Sequence, residues 1–488
     1  MNITKYFIGD KAPSLALSLS PVIFMLLSLV GIIIFEGGGA ISDYSHIILL
    51  VSAMVAVGLS VISRTLSPAR LKSGLQRSAS QILPAVPLLL LIALIATTWL
   101  LSGVVPTLVD YGIKLLNPTF FLVTTCAVCA LVSVLTGSSW TTIATIGVAF
   151  IGIGKVMGYS EGWIAGAIIS GAYFGDKVSP LSDTTVIASS SCGVDLFDHI
   201  RYLMLTAVPA MSVAMITFMC VGLFGSHSEA GEASEIVDAL HATFNISPYT
   251  LIIPLIVGIM IGMRIPTLIT LSVGSILGIA GIFIFQPNIL SAIEGEGLHS
   301  FSDHFSATIG MLWHETSLST GCETLDSFVS TGGILGMLPT VCLVICAMLF
   351  GAAMIGTGML AVIAQSFTRR LNRRGSIVGA TVSSGLFLNS CTADQYLSII
   401  IGGNMYRSVY ERYGLEPRVL SRTLEDSVSV TSVLIPWNSC GVTQSTVLGV
   451  STLTYLPYCI FNVLSPVMTL IMAWTGFKIG VLKPQMQN

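Results

Sequence analysis

Apolar runs of about 20 residues, long enough to cross a bilayer as a helix, recur along almost the whole 488-residue chain. This feature constrains the fold most, because a membrane barrel is built instead from short strands of alternating polarity. Asp, Glu, Lys and Arg make up only 9% of the residues, against roughly 25% in soluble domains. The sequence therefore predicts an all-α polytopic membrane protein.

Ten membrane spans are predicted from these runs. In chain order they are 13–35, 44–62, 82–104, 161–191, 199–224, 247–263, 266–286, 337–364, 420–440 and 449–475. The first run is longer than a signal-peptide core, so we expect it to remain as a mature helix. Lys and Arg follow the second, sixth and eighth runs, and the positive-inside rule therefore predicts cytoplasmic loops there and both termini in the cytoplasm.

Two segments without Lys or Arg are predicted to lie outside the cell membrane. Residues 225–246 form an acidic linker, and residues 287–336 are expected to hold an interfacial amphipathic helix with scaffold or dimer contacts. The alternative for the second segment is a pH-sensing or metal role of His299, His304 and His314. Their spacing matches no HExxH-type metal motif.

Two further apolar stretches, 118–155 and 376–405, are predicted to be re-entrant hairpins. Arginines flank 376–405 on both sides, so it enters and leaves on the cytoplasmic face, and parity gives 118–155 the same shape from outside. Each has a polar tip, which is tolerated at membrane depth only where protein or water covers it. The tips are Thr136, Gly137, Ser138 and Ser139, and Asn389, Ser390, Cys391, Thr392, Ala393 and Asp394.

The segment 175–194 carries charge inside an apolar run. Asp176, Lys177 and Asp183 lie within eight residues, and each charge at the centre of a bilayer helix costs roughly 2.5 to 3.5 kcal/mol. Pro180 interrupts the helix between them. The sequence therefore predicts a binding site on a discontinuous helix over 161–191.

A pattern in this segment recurs in the second half of the chain. DxVSxxS at Asp176 matches DxVSxxS at Asp426, and SCGV at 191–194 matches SCGV at 439–442. The matches predict a first repeat over 1–224 and a second over 247–488, joined by the linker. Each half then has five transmembrane helices, a re-entrant hairpin and a discontinuous helix (161–191 and 420–440). An odd number of crossings inverts one half relative to the other, as in secondary transporters.

Both halves contain oxygen ligands suited to a small hard cation such as sodium: carboxylates, hydroxyls and carbonyls freed by helix breaks. Any single serine or threonine could instead bond to its own helix backbone, and the aspartates could form structural ion pairs. The candidate ion- or substrate-binding residues are Thr136, Ser138, Ser139, Asp176, Lys177, Ser179, Asp183, Thr184, Asn389, Ser390, Thr392, Asp394, Asp426, Ser429, Thr431 and Asn438.

Proton coupling is assigned to four carboxyl groups, those of Asp176, Asp183, Glu425 and Asp426. Burial favours the protonated form of a carboxyl group, and neighbouring carboxyl groups reinforce that preference. A carboxylate that binds either a proton or sodium links the two flows in opposite directions. Lys177 would oppose this beside Asp176, and could instead pair with Asp183 or bind a substrate carboxylate.

GDKVSPLSDTT at 175–185, with the following SSCGV, closely resembles the signature of the NhaC sodium/proton antiporter family. TGCETLDSFVSTGGILGMLPT at 320–340 is similar to the same family, and the resemblance extends from about residue 10 to 475. It implies an inverted-repeat fold with scaffold and transport parts, commonly dimeric, and alternating access of the elevator kind. It also implies cation sites at hairpin tips and broken helices.

The predicted function is therefore sodium/proton antiport in the cytoplasmic membrane. The alternative is coupled exchange of small organic anions, of the malate/lactate type, or of amino acids, which the family also includes. Arg201 and Lys177 are the basic residues placed to meet an organic carboxylate, unless Arg201 only anchors a helix end. Twin broken helices disfavour a channel with a continuous pore.

The sequence does not favour an enzyme, because no nucleophile and base or metal cluster has suitable spacing. Cys126 and Cys129, the CxxC pair, are expected to be packing residues. We expect no cofactor besides transported Na+ and H+, no transition-metal site and no nucleic-acid partner. The expected partners are membrane lipid, a small cation, an organic solute in the alternative case, and a second copy in a homodimer.

Overall fold

The structure is a computed structural model that describes residues 12–36, 41–225, 230–289, 301–317, 330–368, 371 and 373–481. Some predicted features lie outside these ranges. They include Lys5, Lys11, Glu229, His299 and the segment 318–329.

Helices form nearly all of the described chain. They are α1 Leu15–Glu36, α2 Ile41–Ile62, α3 Pro68–Leu101, α4 Val104–Leu115, α5 Phe121–Thr136, α6 Ser139–Thr142, α7 Val148–Val156, α8 Glu161–Val178, α9 Asp183–Cys192, α10 Leu196–Phe224, α11 Ala230–Thr243, α12 Ile252–Gly262, α13 Thr267–Phe285, α14 Phe301–Trp313, α15 Gly333–Gly336, α16 Leu338–Gly356, α17 Met359–Thr368, α18 Arg374–Thr392, α19 Gln395–Arg412, α20 Pro417–Leu424, α21 Ser439–Leu448, α22 Thr452–Tyr455 and α23 Ile460–Thr475. Two π-helical turns, Ile143–Gly147 and Glu425–Ser429, connect α6 to α7 and follow α20.

Within the described ranges, seven helical stretches are long and apolar enough to cross a membrane, or up to ten if each of three bent pairs is one span. Large apolar side chains are exposed on their outer faces; Leu27 is 68% exposed, Ile34 71% and Ile216 63%. A soluble protein rarely leaves so many such residues uncovered. The prediction of an all-α polytopic membrane protein is confirmed.

The helices pack in two groups. In the first, α16 packs against α2 and α3, while α1 contacts α2 and α13 contacts α3. In the second, α5 packs along α8, α10 along α23, and α19 against α18 and α9. Contacts of α18 with α16 and α17 join the groups. The second group contains both predicted hairpins and both predicted broken helices, so it positions the candidate site.

Several predicted spans are divided or extended in the structure. Residues 82–104 belong to the longer α3, which bends by 66° into α4. Gly103 occupies the corner with φ of +80°, and a Cβ there would lie 2.1 Å from Nε2 of Gln286. Only glycine fits this corner. The helix α4 begins after this bend. The hydrophobicity of the sequence does not show where a helix bends, so the prediction did not separate α4 from α3.

The two segments predicted outside contain ordered elements. The expected linker 225–246 includes the helix α11. Residues 287–336 include α14, as expected, and a short antiparallel strand pair, β1 Thr316–Ser317 and β2 Ser330–Thr331, which the sequence did not predict. The Thr331 and Thr97 hydroxyls lie 2.6 Å apart, which ties β2 to α3.

Each predicted hairpin is a pair of helices joined by a two-residue turn. In the first, α5 ends at Gly137, which has φ of +67°. In the second, α18 ends at Ala393, which has φ of +54°. This left-handed conformation costs a residue other than glycine about 1 to 2 kcal/mol, so the second tip holds a strained backbone.

Helix boundaries in the two halves recur at one spacing of 256 residues. The matched boundaries are Thr136 and Thr392, Ser139 and Gln395, Val156 and Arg412, Glu161 and Pro417, Val178 and Leu434, Asp183 and Ser439, and Cys192 and Leu448. The sequence matches used spacings of 250 and 248 instead. SCGV at 191–194 accordingly lies at the end of α9, whereas SCGV at 439–442 begins α21.

Replacement of Gly137 by alanine tests the first hairpin tip. A Cβ at Gly137 would lie 2.6 Å from Cβ of Leu181, in the break after α8, whereas one at Gly414 meets nothing within 4 Å. Both glycines have positive φ, so Gly414→Ala is a matched control that carries only the backbone penalty of about 1 to 2 kcal/mol. Thermal unfolding in detergent should show a larger loss for Gly137→Ala. Equal losses would mean that the tip does not pack against the break.

Candidate functional site

The π-helical turn that follows α20 carries two adjacent carboxyl groups into the protein interior. Glu425 and Asp426 are both fully buried. A π-helical turn inserts one extra residue and is frequently found at functional sites. Of the two carboxyl groups, that of Asp426 is hydrogen-bonded, whereas that of Glu425 has no hydrogen-bond partner among the described residues.

The carboxylate of Asp426 accepts hydrogen bonds at both oxygens. Oδ1 accepts from Nζ of Lys177 and from Oγ of Ser465, the latter at 3.1 Å. Oδ2 accepts from Thr206 Oγ1 at 2.9 Å and from Thr469 Oγ1. The ammonium of Lys177 also donates to Ser465 Oγ at 2.8 Å. Three hydroxyl groups therefore surround the Asp426 carboxylate, and one of them, that of Ser465, also accepts from the Lys177 ammonium.

This ion pair joins the two halves of the chain. Lys177 is 1% exposed and Asp426 0%, and the Lys177 ammonium lies 5.4 Å from the ring centre of Phe461. A buried ion pair is sustained only when good geometry and further hydrogen bonds offset the loss of hydration. The three hydroxyl groups supply those hydrogen bonds.

The helix break after α8 positions Lys177. α8 ends at Val178, and Ser179 is extended with ψ of 132°. Thr185, at the start of α9, donates to the Lys177 carbonyl at 3.1 Å across the break. The break thus leaves carbonyl oxygens outside the helical ladder, as expected from Pro180.

Asp176 precedes Lys177 in the last turn of α8 and lies against the tip of the first hairpin. Its Oδ2 accepts hydrogen bonds from the Ser139 backbone N–H at 3.1 Å and from Ser139 Oγ at 2.7 Å. Ser179 Oγ donates to the Val134 carbonyl at 2.8 Å, which further ties the break to the hairpin. Asp183 is exposed. The hydroxyl oxygens of Thr184 and Ser182 lie 2.9 Å apart.

The second hairpin tip is joined to the second break by amide groups. Asn389 donates from Nδ2 to the Val428 carbonyl at 2.8 Å, and Asn438 donates to Asn389 Oδ1 at 2.9 Å. The Ser439 N–H donates to the Ala393 carbonyl at 2.9 Å. These predicted site residues hold the tip in place in this structure.

The two tips share one hydrogen-bonding pattern. Ser138 Oγ accepts from the N–H three residues later, and Asp394 Oδ1 does the same. At the first tip the Ser138 N–H donates to Thr136 Oγ1, and at the second the Asp394 N–H donates to Thr392 Oγ1. Such capping satisfies the free N–H groups at a helix start. The pattern gives Thr136, Ser138, Thr392 and Asp394 a structural role as caps of the helix starts.

Some predicted residues bond only to nearby backbone. Ser390 donates to the Leu386 carbonyl, and Thr431 donates to the Ser427 carbonyl. These bonds are the usual ones for hydroxyl side chains in helices. For Ser390 and Thr431 the structure therefore shows the alternative in which the hydroxyl bonds to its own helix backbone. Ser429, by contrast, is buried close to Glu425.

Both carboxylate oxygens of Glu425 are buried and have no hydrogen-bond partner in the described residues. The hydroxyls of Thr184 and Ser429 lie beside it, and Lys177 and Asp176 are within electrostatic range. An unpaired buried carboxylate is costly. A proton or a cation bound at Glu425 would offset that cost.

Sequence reasoning missed several contact residues of the site. Thr206, Ser465 and Thr469 carried no signal, because isolated hydroxyls are common in membrane helices. Arg422 and His199 were also missed. Arg422 was assigned to a cytoplasmic loop, but it lies on α20 and is completely buried.

The described residues contain no group of three or more His, Cys, Asp or Glu side chains that could hold a metal ion. Cys126 and Cys129 are fully buried on α5 among apolar side chains. His304 lies within α14, and His314 directly follows its last residue.

Helices interrupted beside buried charges, with hairpin tips packed against the interruptions, are the construction used by secondary membrane transporters. The profile of the Na+/H+ antiporter family matches residues 4–223 and 171–477. The chain belongs to this family.

Relatives within the family differ in their substrates. The chain is 38% identical to the Na(+)/H(+) antiporter NhaC of Alkalihalophilus pseudofirmus, over 80% of this chain and 82% of that protein. It is 33% identical to the malate-2H(+)/Na(+)-lactate antiporter of Bacillus subtilis, over 85% and 86%. It is also 33% identical to the arginine/ornithine antiporter ArcD of Halobacterium salinarum, over 84% and 83%.

Coupling between Lys177 and Asp426 can be measured with a double-mutant cycle. Lys177→Met or Asp426→Asn alone leaves an uncompensated buried group and should destabilise the protein by about 3 to 5 kcal/mol. The double variant should recover much of that loss. Thermal unfolding in detergent ranks the stabilities of the wild type, the two single variants and the double variant. The exposed pair Arg407 and Glu411, 3.7 Å apart, is the control, and its coupling should stay near 0.3 to 0.5 kcal/mol, roughly. Additive effects at Lys177 and Asp426 would contradict a direct ion pair.

Proposed function

We propose that the protein exchanges Na+ for H+ across the cell membrane by alternating access. One observation carries this proposal: the Asp426 carboxylate lies among three hydroxyl groups and holds a single tethered cation, the Lys177 ammonium. Oxygen ligands of this kind suit a small hard cation. Membership of the Na+/H+ antiporter family supports the same function.

Electroneutrality links sodium to the proton in this arrangement. Two positive charges cannot share one buried carboxylate at low cost. When Na+ binds Asp426, the Lys177 ammonium must lose its proton or move to another carboxylate. Glu425 is within electrostatic range and has two unpartnered oxygens. It serves as the acceptor of the proton or of the displaced ammonium.

Access to the first hairpin tip is available through a cavity of about 220 Å³. It is lined by Thr136 and Thr141 at the tip, Leu181 in the break, and the loop that holds Arg264. We assign this loop to the cytoplasm by the positive-inside rule. Ions then approach Asp176 and Ser139 from the cytoplasmic side, while the exposed Asp183 increases the local cation concentration.

We infer that the two halves are inverted repeats in which each residue of the first half corresponds to the residue 256 positions later in the second. Besides the helix boundaries, the hydrogen bond from Ser133 Oγ to the Ala172 carbonyl is matched by that from Asn389 Nδ2 to the Val428 carbonyl. In this register Asp176 corresponds to Ser432, and not to Asp426. The site is then asymmetric, with one carboxylate centre at the hairpin tip and another at the ion pair.

Exchange of organic anions or amino acids is the second candidate function. Two relatives named for malate and lactate, and for arginine and ornithine, are 33% identical to this chain. A transporter of this type should show solute-driven uptake in liposomes. A sodium/proton antiporter should instead dissipate a pH gradient when sodium alone is added.

Sodium affinity should depend on the hydroxyl groups around Asp426. Thr469→Ala removes a donor to Asp426, so the sodium concentration for half-maximal exchange should rise by about tenfold or more, as expected for one lost charge-assisted hydrogen bond of about 1.5 to 3 kcal/mol. Proteoliposomes with a pH-sensitive dye measure this. Thr475→Ala on the same helix is the control, because its hydroxyl bonds to the Ile471 carbonyl. An unchanged sodium dependence in Thr469→Ala would contradict a site at Asp426.

Glu425→Gln tests the proton route separately. The amide fits the same space but neither accepts a proton nor pairs with an ammonium. We expect sodium to protect the protein against thermal unfolding as in the wild type, while sodium-driven proton movement falls by at least about tenfold, the scale of a lost proton-transfer group. Full exchange activity in this variant would assign the proton to another group.

A further inference from the structure

Arg422 is a completely buried arginine without a counter-ion among the described residues. Its side chain is 0% exposed, and Nε and Nη2 have no hydrogen-bond partner. Nη1 contacts only the Met472 sulfur, at 3.5 Å. An unpaired buried charge is strongly disfavoured, and the nearby ion pair already satisfies Asp426. The fold thus maintains a positive charge whose two free N–H groups point into the protein.

The surroundings of Arg422 suit a planar anion. The Tyr202 ring centre lies 4.6 Å from its guanidinium carbon. His199, one helical turn before Tyr202 on α10, bonds through Nδ1 to Ser421 at 2.8 Å and has an unpartnered, buried Nε2. A guanidinium group with two free N–H groups matches the two oxygens of a carboxylate.

Tyr202 also lines a cavity of about 580 Å³. It is lined by the basic side chains of Arg201, Arg418 and Lys478, and by Asp198 and Glu416. The acids have partners, since Glu416 pairs with Arg418 and Asp198 lies 3.8 Å from Arg201. The cavity is large enough for a small organic acid, and its lining carries a net positive charge.

Tyr202 is the residue that connects this cavity with Arg422, because it lines the cavity and its ring contacts the guanidinium group. Its ring also contacts Arg418, whose guanidinium carbon lies 5.0 Å from the ring centre. The Tyr202 hydroxyl donates to the Lys478 carbonyl at 2.9 Å and accepts from the Gly480 N–H at 3.2 Å. The segment after α23 therefore holds the ring in place between two arginines.

We propose that Arg422 binds the carboxylate of a small organic anion that enters from the cavity beside Tyr202. The anion passes Arg418 at the cavity wall, the Tyr202 ring turns aside, and the carboxylate forms two hydrogen bonds with Nε and Nη2 of Arg422. This site is separate from the cation site at Asp426. It does not depend on sodium/proton exchange being the function.

Thermal unfolding of the purified full-length protein in detergent tests the proposal. The probes are the choline salts of acetate, lactate and malate, with choline chloride at matched ionic strength as the reference. We expect at least one carboxylate to raise the unfolding temperature saturably, because a ligand that binds only the native state stabilises it. No shift beyond that of chloride in the wild type would overturn the proposal.

Arg422→Lys keeps the charge but loses the fork of donors, so the apparent affinity for the carboxylate should fall by about tenfold or more. Arg407→Lys is the control, since Arg407 is 56% exposed and lies outside the cavity lining. A wild-type response in Arg422→Lys would also overturn the proposal.

A second variant covers the case in which Arg422→Lys does not fold. Arg418→Lys changes a side chain that is 43% exposed and should weaken carboxylate binding several-fold without loss of the fold. An unchanged affinity in that variant would contradict entry through the cavity. Sodium-driven proton exchange, measured without any carboxylate present, reports on the cation site alone, so failure of the two proposals is distinguishable.

Discussion

The buried ion pair between Lys177 and Asp426 is the interaction on which the rest of the site depends. It joins the broken helix of one half to the π-helical turn of the other, and α10 and α23 contribute the hydroxyls that satisfy it. An ion pair without water is stable only when its remaining hydrogen bonds are made. Four chain segments are therefore joined at one charge pair: α8, the π-helical turn after α20, α10 and α23.

Interrupted helices make this arrangement possible. The break after Val178 frees carbonyl groups, and the tips at Gly137 and Ala393 bring capped helix starts against the breaks. Backbone at membrane depth is tolerated in this form because side chains and neighbouring N–H groups satisfy it. The strained residue at the second tip is consistent with a position fixed by its packing, since the Ala393 carbonyl accepts from Ser439.

Prediction from the sequence succeeded where the energetic signal was large. Charges inside apolar runs identified Asp176, Lys177 and Asp426, since each is expensive in a membrane. The same logic missed Arg422, because basic residues near a helix end were attributed to a loop. Similarity of short motifs suggested a pairing of Asp176 with Asp426, whereas helix boundaries and hydrogen bonds follow the spacing of 256 residues. Few side chains are shared in that register, so local identity could not reveal it.

The sequence by itself determined that the chain is a polytopic membrane protein with polar breaks and tips, because hydrophobic length and the cost of buried charge are local properties. Only the tertiary structure decided which partners those polar groups have. Lys177 binds Asp426 across 249 residues of chain and Asp176 binds Ser139, whereas the oxygens of Glu425 and the Nε and Nη2 atoms of Arg422 have no hydrogen-bond partner among the described residues. Any of the many hydroxyl groups in the sequence could donate to a given carboxylate, and packing alone selects among them.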